Sequence, residues 1–166
     1  MTTLIRCGCG QVEVAFEGEP IVTAACHCDD CQAGAARIEA LPGAWPIRDA
    51  AGGTYSALYR KDRYRVTRGA DLLRADKLRA GTPTNRMVAT CCNCGLFVSY
   101  DRGPHWISAY RPGFGATAPA LELRVNTRFA PGPVPDDVPG YRLFPLGFVV
   151  KLVVARAAMM FGRRAG

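Results

Sequence analysis

No run of about 18 uncharged apolar residues occurs in the chain, so a simple membrane-spanning helix is disfavoured. The nearest approach, Leu143 to Phe161, is interrupted by Lys151 and Arg156. Met1 to Cys7 lacks the basic segment and long apolar stretch of a secretory signal, and no such signal is expected there. Acidic residues are in deficit, 14 against 21 lysines and arginines, which leaves a formal charge of +7. That balance suits anionic ligands, nucleic acid or a membrane surface, and by itself selects none of them. No internal repeat is present. Eight cysteines are too few for a disulfide-dense toxin and many for an ordinary enzyme. A reducing, cytoplasmic location is the expectation, and there clustered cysteines read as metal or redox sites before disulfides.

What is present is the composition of a globular chain. The 166 residues suit one domain, with 49% hydrophobic and 21% charged side chains. Eighteen glycines and 12 prolines favour many turns over long helices. Gln11 to Phe16 alternates, with Val12, Val14 and Phe16 on one side, as in a half-buried strand. Short strands are also expected over Tyr55–Tyr59, Tyr64–Thr67, Met87–Thr90, Leu96–Tyr100, Trp106–Tyr110 and Leu121–Val125. Residues 32–53, rich in Ala, Gly and Pro, read as loop, and Leu72–Leu78 as one or two helical turns. The fold class is therefore mainly β, small sheets with a C-terminal helix. Residues 1–128 form the β region, and 129–140, with four prolines, a linker or wrap. Residues 141–166 form a helix, apolar nearly all round, over Tyr141–Phe161, with Arg163 and Arg164 at its basic end. Such a helix packs on the sheet, joins two copies in a homo-oligomer, or lies on a membrane surface through Lys151, Arg156, Arg163 and Arg164.

All eight cysteines fall in three tight groups: Cys7-Gly-Cys9-Gly, Cys26-His-Cys28-Asp-Asp-Cys31 and Cys91-Cys-Asn-Cys94-Gly. Thiolates so spaced can point at one ion, whereas a disulfide between such near neighbours is geometrically disfavoured. Glycine after Cys9 and after Cys94 allows a left-handed turn that aims amide N–H groups at sulfur. The soft donors make Zn2+ the expected cofactor, at two sites. Cys7, Cys9, Cys91 and Cys94 make a closed, structural tetrahedron. Cys26, Cys28 and Cys31 leave one position for water or substrate, as in a catalytic zinc, or are closed by an unassigned fourth ligand. Cys92, the odd thiol, is also a candidate redox sensor.

The ordered motifs Cys-x-Cys-Gly-x-Val (7–12), Cys-His-Cys-x-x-Cys (26–31) and Cys-x-x-Cys-Gly (91–95) resemble the glutathione-dependent formaldehyde-activating enzyme family, shared with centromere protein V. The resemblance implies a β-tent of small antiparallel sheets with two zinc sites. It implies Cys7, Cys9, Cys91 and Cys94 as structural ligands, and Cys26, Cys28 and Cys31 as the substrate-side set. The implied activity is that of a carbon–sulfur lyase, joining or splitting formaldehyde and glutathione as S-hydroxymethylglutathione. Thr90 stands where family members commonly carry an aromatic, and Cys92 offers itself in exchange for Cys91. The alternative is a non-catalytic zinc module that binds an anionic partner, a membrane surface or nucleic acid.

Other residues have two readings each. His27 shuttles a proton or completes a zinc shell, or its ring points away from the ligands flanking it. Asp29 and Asp30 orient ligands or act as base, or form a solvated turn. Along Tyr59–Arg68, strand alternation puts Lys61, Arg63 and Arg65 on one face. Arg63 and Arg65 there receive the carboxylates of a glutathione-like anion, or guard a sheet edge. Nucleic acid is the weaker partner, because no aromatics interleave as a stacking platform.

Overall fold

The computed structural model describes residues 1–162, so Arg163 and Arg164, expected at the helix end, lie outside the described residues. Among the described residues ten strands and two α-helices follow one another. They are β1 (Thr2–Arg6), β2 (Glu13–Glu17), β3 (Val22–Cys26), α1 (Asp29–Glu39), β4 (Thr54–Arg60) and β5 (Tyr64–Arg68). Then come β6 (Leu73–Asp76), β7 (Thr84–Ala89), β8 (Gly95–Tyr100), β9 (Trp106–Tyr110), β10 (Leu123–Val125) and α2 (Leu146–Gly162). The fold is mainly β, with a C-terminal helix. One sheet has three strands, β1-β2-β5, and the other seven, β10-β3-β4-β9-β8-β7-β6. All pairings are antiparallel except β10 with β3, which makes the larger sheet mixed.

Period-2 alternation gives the seven-stranded sheet two different faces. One face carries Ala57, Tyr59, Phe97, Ile107 and Ala109, which pack with Ile5, Val12, Val14 and Phe16 from the N-terminal part of the chain into the main core. The rings of Phe16 and Tyr59 stack with centroids 4.5 Å apart. The opposite face is covered at one end by α1, through Ala35 and Ile38 on Val88, Val98 and Tyr110. At the other end α2 seats Phe148 with Val22, Ala24, Leu58 and Val125.

Three expectations about local structure are corrected. Residues 32–53 do not begin as loop, because α1 runs to Glu39. Alanine favours helix, and Asp29 and Asp30 in the first turn suit the positive helix end. Leu72–Leu78 holds strand β6 in place of most of the helical turns, because Leu73 to Asp76 pair with Ala89 to Arg86 of β7. Pairing across the sheet here outweighs the helical preference of Leu-Arg-Ala. The final helix starts at Leu146, not Tyr141, after Pro145. Residues 129–140 wrap closely on the sheet: Arg124 donates to Asp137 at 2.9 Å and to Asp49 at 2.5 Å, and its amide donates to Pro139 O.

Gly34 sits inside α1, where glycine costs about 1 kcal/mol relative to alanine. A Cβ there would lie 1.8 Å from Nε and 2.3 Å from Cζ of the buried Arg86. We expect Gly34→Ala to destabilise the fold by about 1–3 kcal/mol despite its helix propensity, because a well-packed charged side chain must move. Chemical denaturation reads the sign directly; a stabilised variant would show that Arg86 yields freely.

Candidate metal centres

Cys7 and Cys9 lie in the turn that leaves β1. The turn is closed by Gly10 N donating to Cys7 O at 2.9 Å and by Cys7 N donating to Val12 O at 3.1 Å. Val12 N also donates to Cys7 Sγ at 3.2 Å, the amide-to-sulfur contact that steadies a metal-binding thiolate. Gly10 is left-handed, with φ +75°, as the Cys-x-Cys-Gly pattern anticipates. Gly95 is different. The left-handed residue of the second turn is Asn93, with φ 57°, and Gly95 is required by space, since a Cβ would lie 2.7 Å from Ile47 Cδ1.

The β7–β8 turn brings Cys91 to within 3.8 Å of Cys7 Sγ and 3.3 Å of Cys9 Sγ. The four sulfurs lying within 4.8 Å of one another are those of Cys7, Cys9, Cys91 and Cys92. Sequence spacing gives the fourth place to Cys94; the tight turn instead brings Cys92 into the group. Cys94 is buried directly behind, its Sγ 3.6 Å from Cys92 O. Burial opposes ionisation of Cys92, but backbone N–H groups of Cys9 and Cys94 aimed at its sulfur lower its pKa to about 6. Burial raises the Cys94 thiol to about 11.

The second group forms where β3 ends and α1 begins. Cys26 is the last residue of its strand, Cys28 caps α1, and Cys31 lies in its first turn. Their sulfurs lie within 4.8 Å of one another. The thiols of Cys28 and Cys31 donate to Cys26 and lower its pKa to about 3, with help from the Cys28 amide and Asn126 Nδ2 at 3.4 Å. The same hydrogen bonding raises Cys28 and Cys31. One anionic sulfur with two thiols turned toward it is a donor set that suits a soft divalent ion. Both clusters can hold a metal ion.

The second cluster opens on a cavity of about 420 Å3. Its floor is the face of the large sheet opposite the main core, reached by every second residue: Thr54 and Ser56, Ser108 and Tyr110, Val98 and Tyr100, Thr84 and Arg86. Its roof is Phe144, Phe148, Val149 and Leu152. Two contacts fix the roof. His105 Nε2 donates to Leu152 O at 2.8 Å, and Lys151 pairs with Glu122.

His27, between two ligands, lies outside this cavity lining and is fully buried. Its Nδ1 donates to Ala51 O at 3.2 Å, Nε2 has no partner, and burial keeps its pKa low against the opposing charge of Asp49. Gly53 makes room for the ring, since a Cβ there would lie 2.9 Å from Nε2. The proton-shuttle position expected of His27 is thus not where the ring sits. Asp30 is exposed and pairs with Arg79.

The cationic stripe is also placed elsewhere. Lys61–Arg63 form a 3-10 turn, so the strand alternation that would align Arg63 with Arg65 does not extend through it. Arg65 lies on β5 of the smaller sheet, and neither arginine lines the cavity. The cation that does is Arg86, which sequence reading missed. Its only outward signal is its position in Thr84–Ala89, two residues from Val88, on the inward-facing alternation of the strand.

The family model for glutathione-dependent formaldehyde-activating enzymes matches residues 2–114. Among solved structures, a Rhodobacter sphaeroides structural-genomics protein is similar at 18% identity and a TM-score of 0.48, over 72% of this chain and 92% of that one. Comparison with curated proteins gives no match. Among the described residues no helix is long and apolar enough to cross a membrane.

Proposed function

The chain belongs to the glutathione-dependent formaldehyde-activating enzyme family, and on that premise we propose a zinc protein with carbon–sulfur lyase type activity on a glutathione adduct or another small thiol conjugate. The supporting observation is the trio Cys26, Cys28 and Cys31, three sulfurs in reach of one ion at the wall of a cavity large enough for a small molecule. Three protein ligands would leave one coordination place for a small molecule, whereas the Cys7 cluster has four sulfurs and reads as structural. Bound zinc supplies a Lewis-acidic position that favours the thiolate form of a thiol.

The surrounding residues orient the partners. In the joining direction the thiol sulfur bonds to the aldehyde carbon, and the thiol proton ends on the aldehyde oxygen. Cleavage returns that proton to sulfur and frees the aldehyde. Burial raises the phenols of Tyr100 and Tyr110, so both stay protonated at neutral pH and serve as hydrogen-bond donors, not bases. With the hydroxyls of Ser56 and Ser108 they are the groups on the cavity floor suited to hold a carbonyl or alkoxide oxygen.

X-ray absorption on the zinc-loaded protein tests this reading, read beside carbon-13 NMR exchange between formaldehyde and added thiol. The expected result is a shell that changes on adding thiol, with exchange faster than the uncatalysed rate. A shell of four sulfurs indifferent to excess thiol would rule out the open site.

A second reading, a non-catalytic zinc module resting on an anionic membrane surface, is favoured by α2. Leu146, Val150, Val153, Val154 and Phe161 are exposed along it, beside the exposed Arg156, in a chain of formal charge +7. It predicts co-sedimentation with anionic vesicles and no thiol-dependent change at the metal.

A further inference from the structure

Arg86 is a buried cation, 4% exposed, with no carboxylate partner among the described residues. Its Nη2 donates to Asp30 O at 2.6 Å, and the Nε–Cζ side of its guanidinium group lies against Gly34. A charge so placed is costly unless an anion faces it. Arg86 lines the cavity, and among the described lining residues it is the only one with a charged side chain apart from the cysteines; no Asp, Glu, Lys or His joins it.

The rest of the chamber is largely hydrocarbon. Phe144 and Phe148 stack at 5.1 Å, and with Leu152 they close the side opposite the sheet. These roof residues lie beyond the 2–114 span that the family model matches. Glutathione carries two carboxylates and an ammonium group. Here one carboxylate would meet Arg86, while the second and the ammonium would find only neutral hydroxyls such as those of Ser56 and Ser108 and no opposite charge from an acid or a second base, which leaves their lost hydration poorly replaced.

We infer that this cavity selects thiols with a hydrocarbon body and no more than one anionic group, and the aldehyde adducts of such thiols. The body lies beneath α2 and the anionic group meets Arg86. This rests on the thiol-directed reading above and names its substrate class. Arg86 acts in binding, and the roof residues set specificity.

The test titrates the zinc-loaded full chain with 6-mercaptohexanoate, 6-mercaptohexanol, hexanoate and glutathione. Calorimetry and the fluorescence of Trp106, which lines the cavity, report binding without turnover. Mercaptohexanoate is expected to bind at least about tenfold tighter than glutathione, and about tenfold tighter than the uncharged mercaptohexanol, for one charge-assisted hydrogen bond. Leu152→Ala opens the roof and leaves part of the hydrocarbon body facing water. It should weaken mercaptohexanoate about fivefold with zinc content unchanged. Arg86→Met should erase the preference over mercaptohexanol. Should that variant not fold, the same comparison in the unaltered chain carries the point.

Glutathione binding as tightly as mercaptohexanoate overturns the inference and leaves a thiol-directed centre standing. Equal affinity for mercaptohexanol and mercaptohexanoate also overturns it, by removing Arg86 from recognition. Hexanoate matching mercaptohexanoate defeats the thiol-directed reading and the selection of thiols with it, leaving only a chamber for apolar single anions. Binding of none of the four defeats both.

Discussion

Cys7→Ser should shed the ion of the first centre and leave the domain largely unfolded at 37 °C. Cys7 is 4% exposed, accepts Val12 N–H, and meets Cys91 across 84 positions of chain. An ion there ties the turn after β1 to the β7–β8 turn, and its binding energy, about 10–16 kcal/mol in small zinc domains, is folding energy. Serine offers a hard, reluctantly ionised oxygen in place of thiolate. Metal content per chain together with far-ultraviolet circular dichroism gives the answer. A variant that keeps both ions and its melting temperature would show that this cluster is no structural site. Serine variants at 92 and 94 assign the fourth sulfur. The observed grouping predicts loss of the ion in Cys92→Ser, while loss confined to Cys94→Ser would restore the Cys-x-x-Cys-Gly assignment.

The second centre should behave differently. Cys28→Ser is expected to lose its ion and lower carbon–sulfur exchange by at least about a hundredfold, since even outer-shell changes at metal sites cost 10–100-fold. The fold should survive, with a melting temperature lower by about 5–10 °C. The contrast has a chain-entropy origin. Cys26 and Cys31 are five positions apart at one strand-to-helix junction, so closing that loop constrains little. Closing the 84-residue separation instead constrains the unfolded chain by about 2.5 kcal/mol more on loop-length scaling alone. Calorimetric scans of the two variants side by side decide the matter, and equal losses of melting temperature would contradict a division into structural and functional centres.

Metal binding at both clusters should weaken as pH falls, because every ligand sulfur must give up its proton. At the second cluster Cys26 is ionised well below neutral pH in the folded chain, while Cys28 and Cys31 are held protonated by the same hydrogen bonds. Loading there therefore releases protons, mainly from the latter two.

The cysteine spacings were legible in the sequence, because ligands two to five residues apart in tight turns need no distant information. The mainly β class was equally legible from short alternating runs, as was the apolar C-terminal helix. Where α1 replaces an expected loop, the deciding facts are long-range. Its inner face is completed by Val88, Val98 and Tyr110, and its glycine by Arg86. The grouping of Cys92, the enclosure of His27 beneath Gly53 and the distance of Arg63 and Arg65 from the cavity depend on how separate segments meet.

From neighbouring residues alone one can read that thiols gather in groups able to grip metal and which runs alternate as strands, since both follow from local chemistry and geometry; the choice between Cys92 and Cys94 does not. What faces the second centre follows from the assembled fold alone. Strand order sets Arg86 of β7 beside Tyr100, Ser108 and Ser56 on one surface, and α2 closes over it from the far end of the chain. Alternation says that a side chain points to one side of a strand; only pairing across the sheet says which other side chains it finds there.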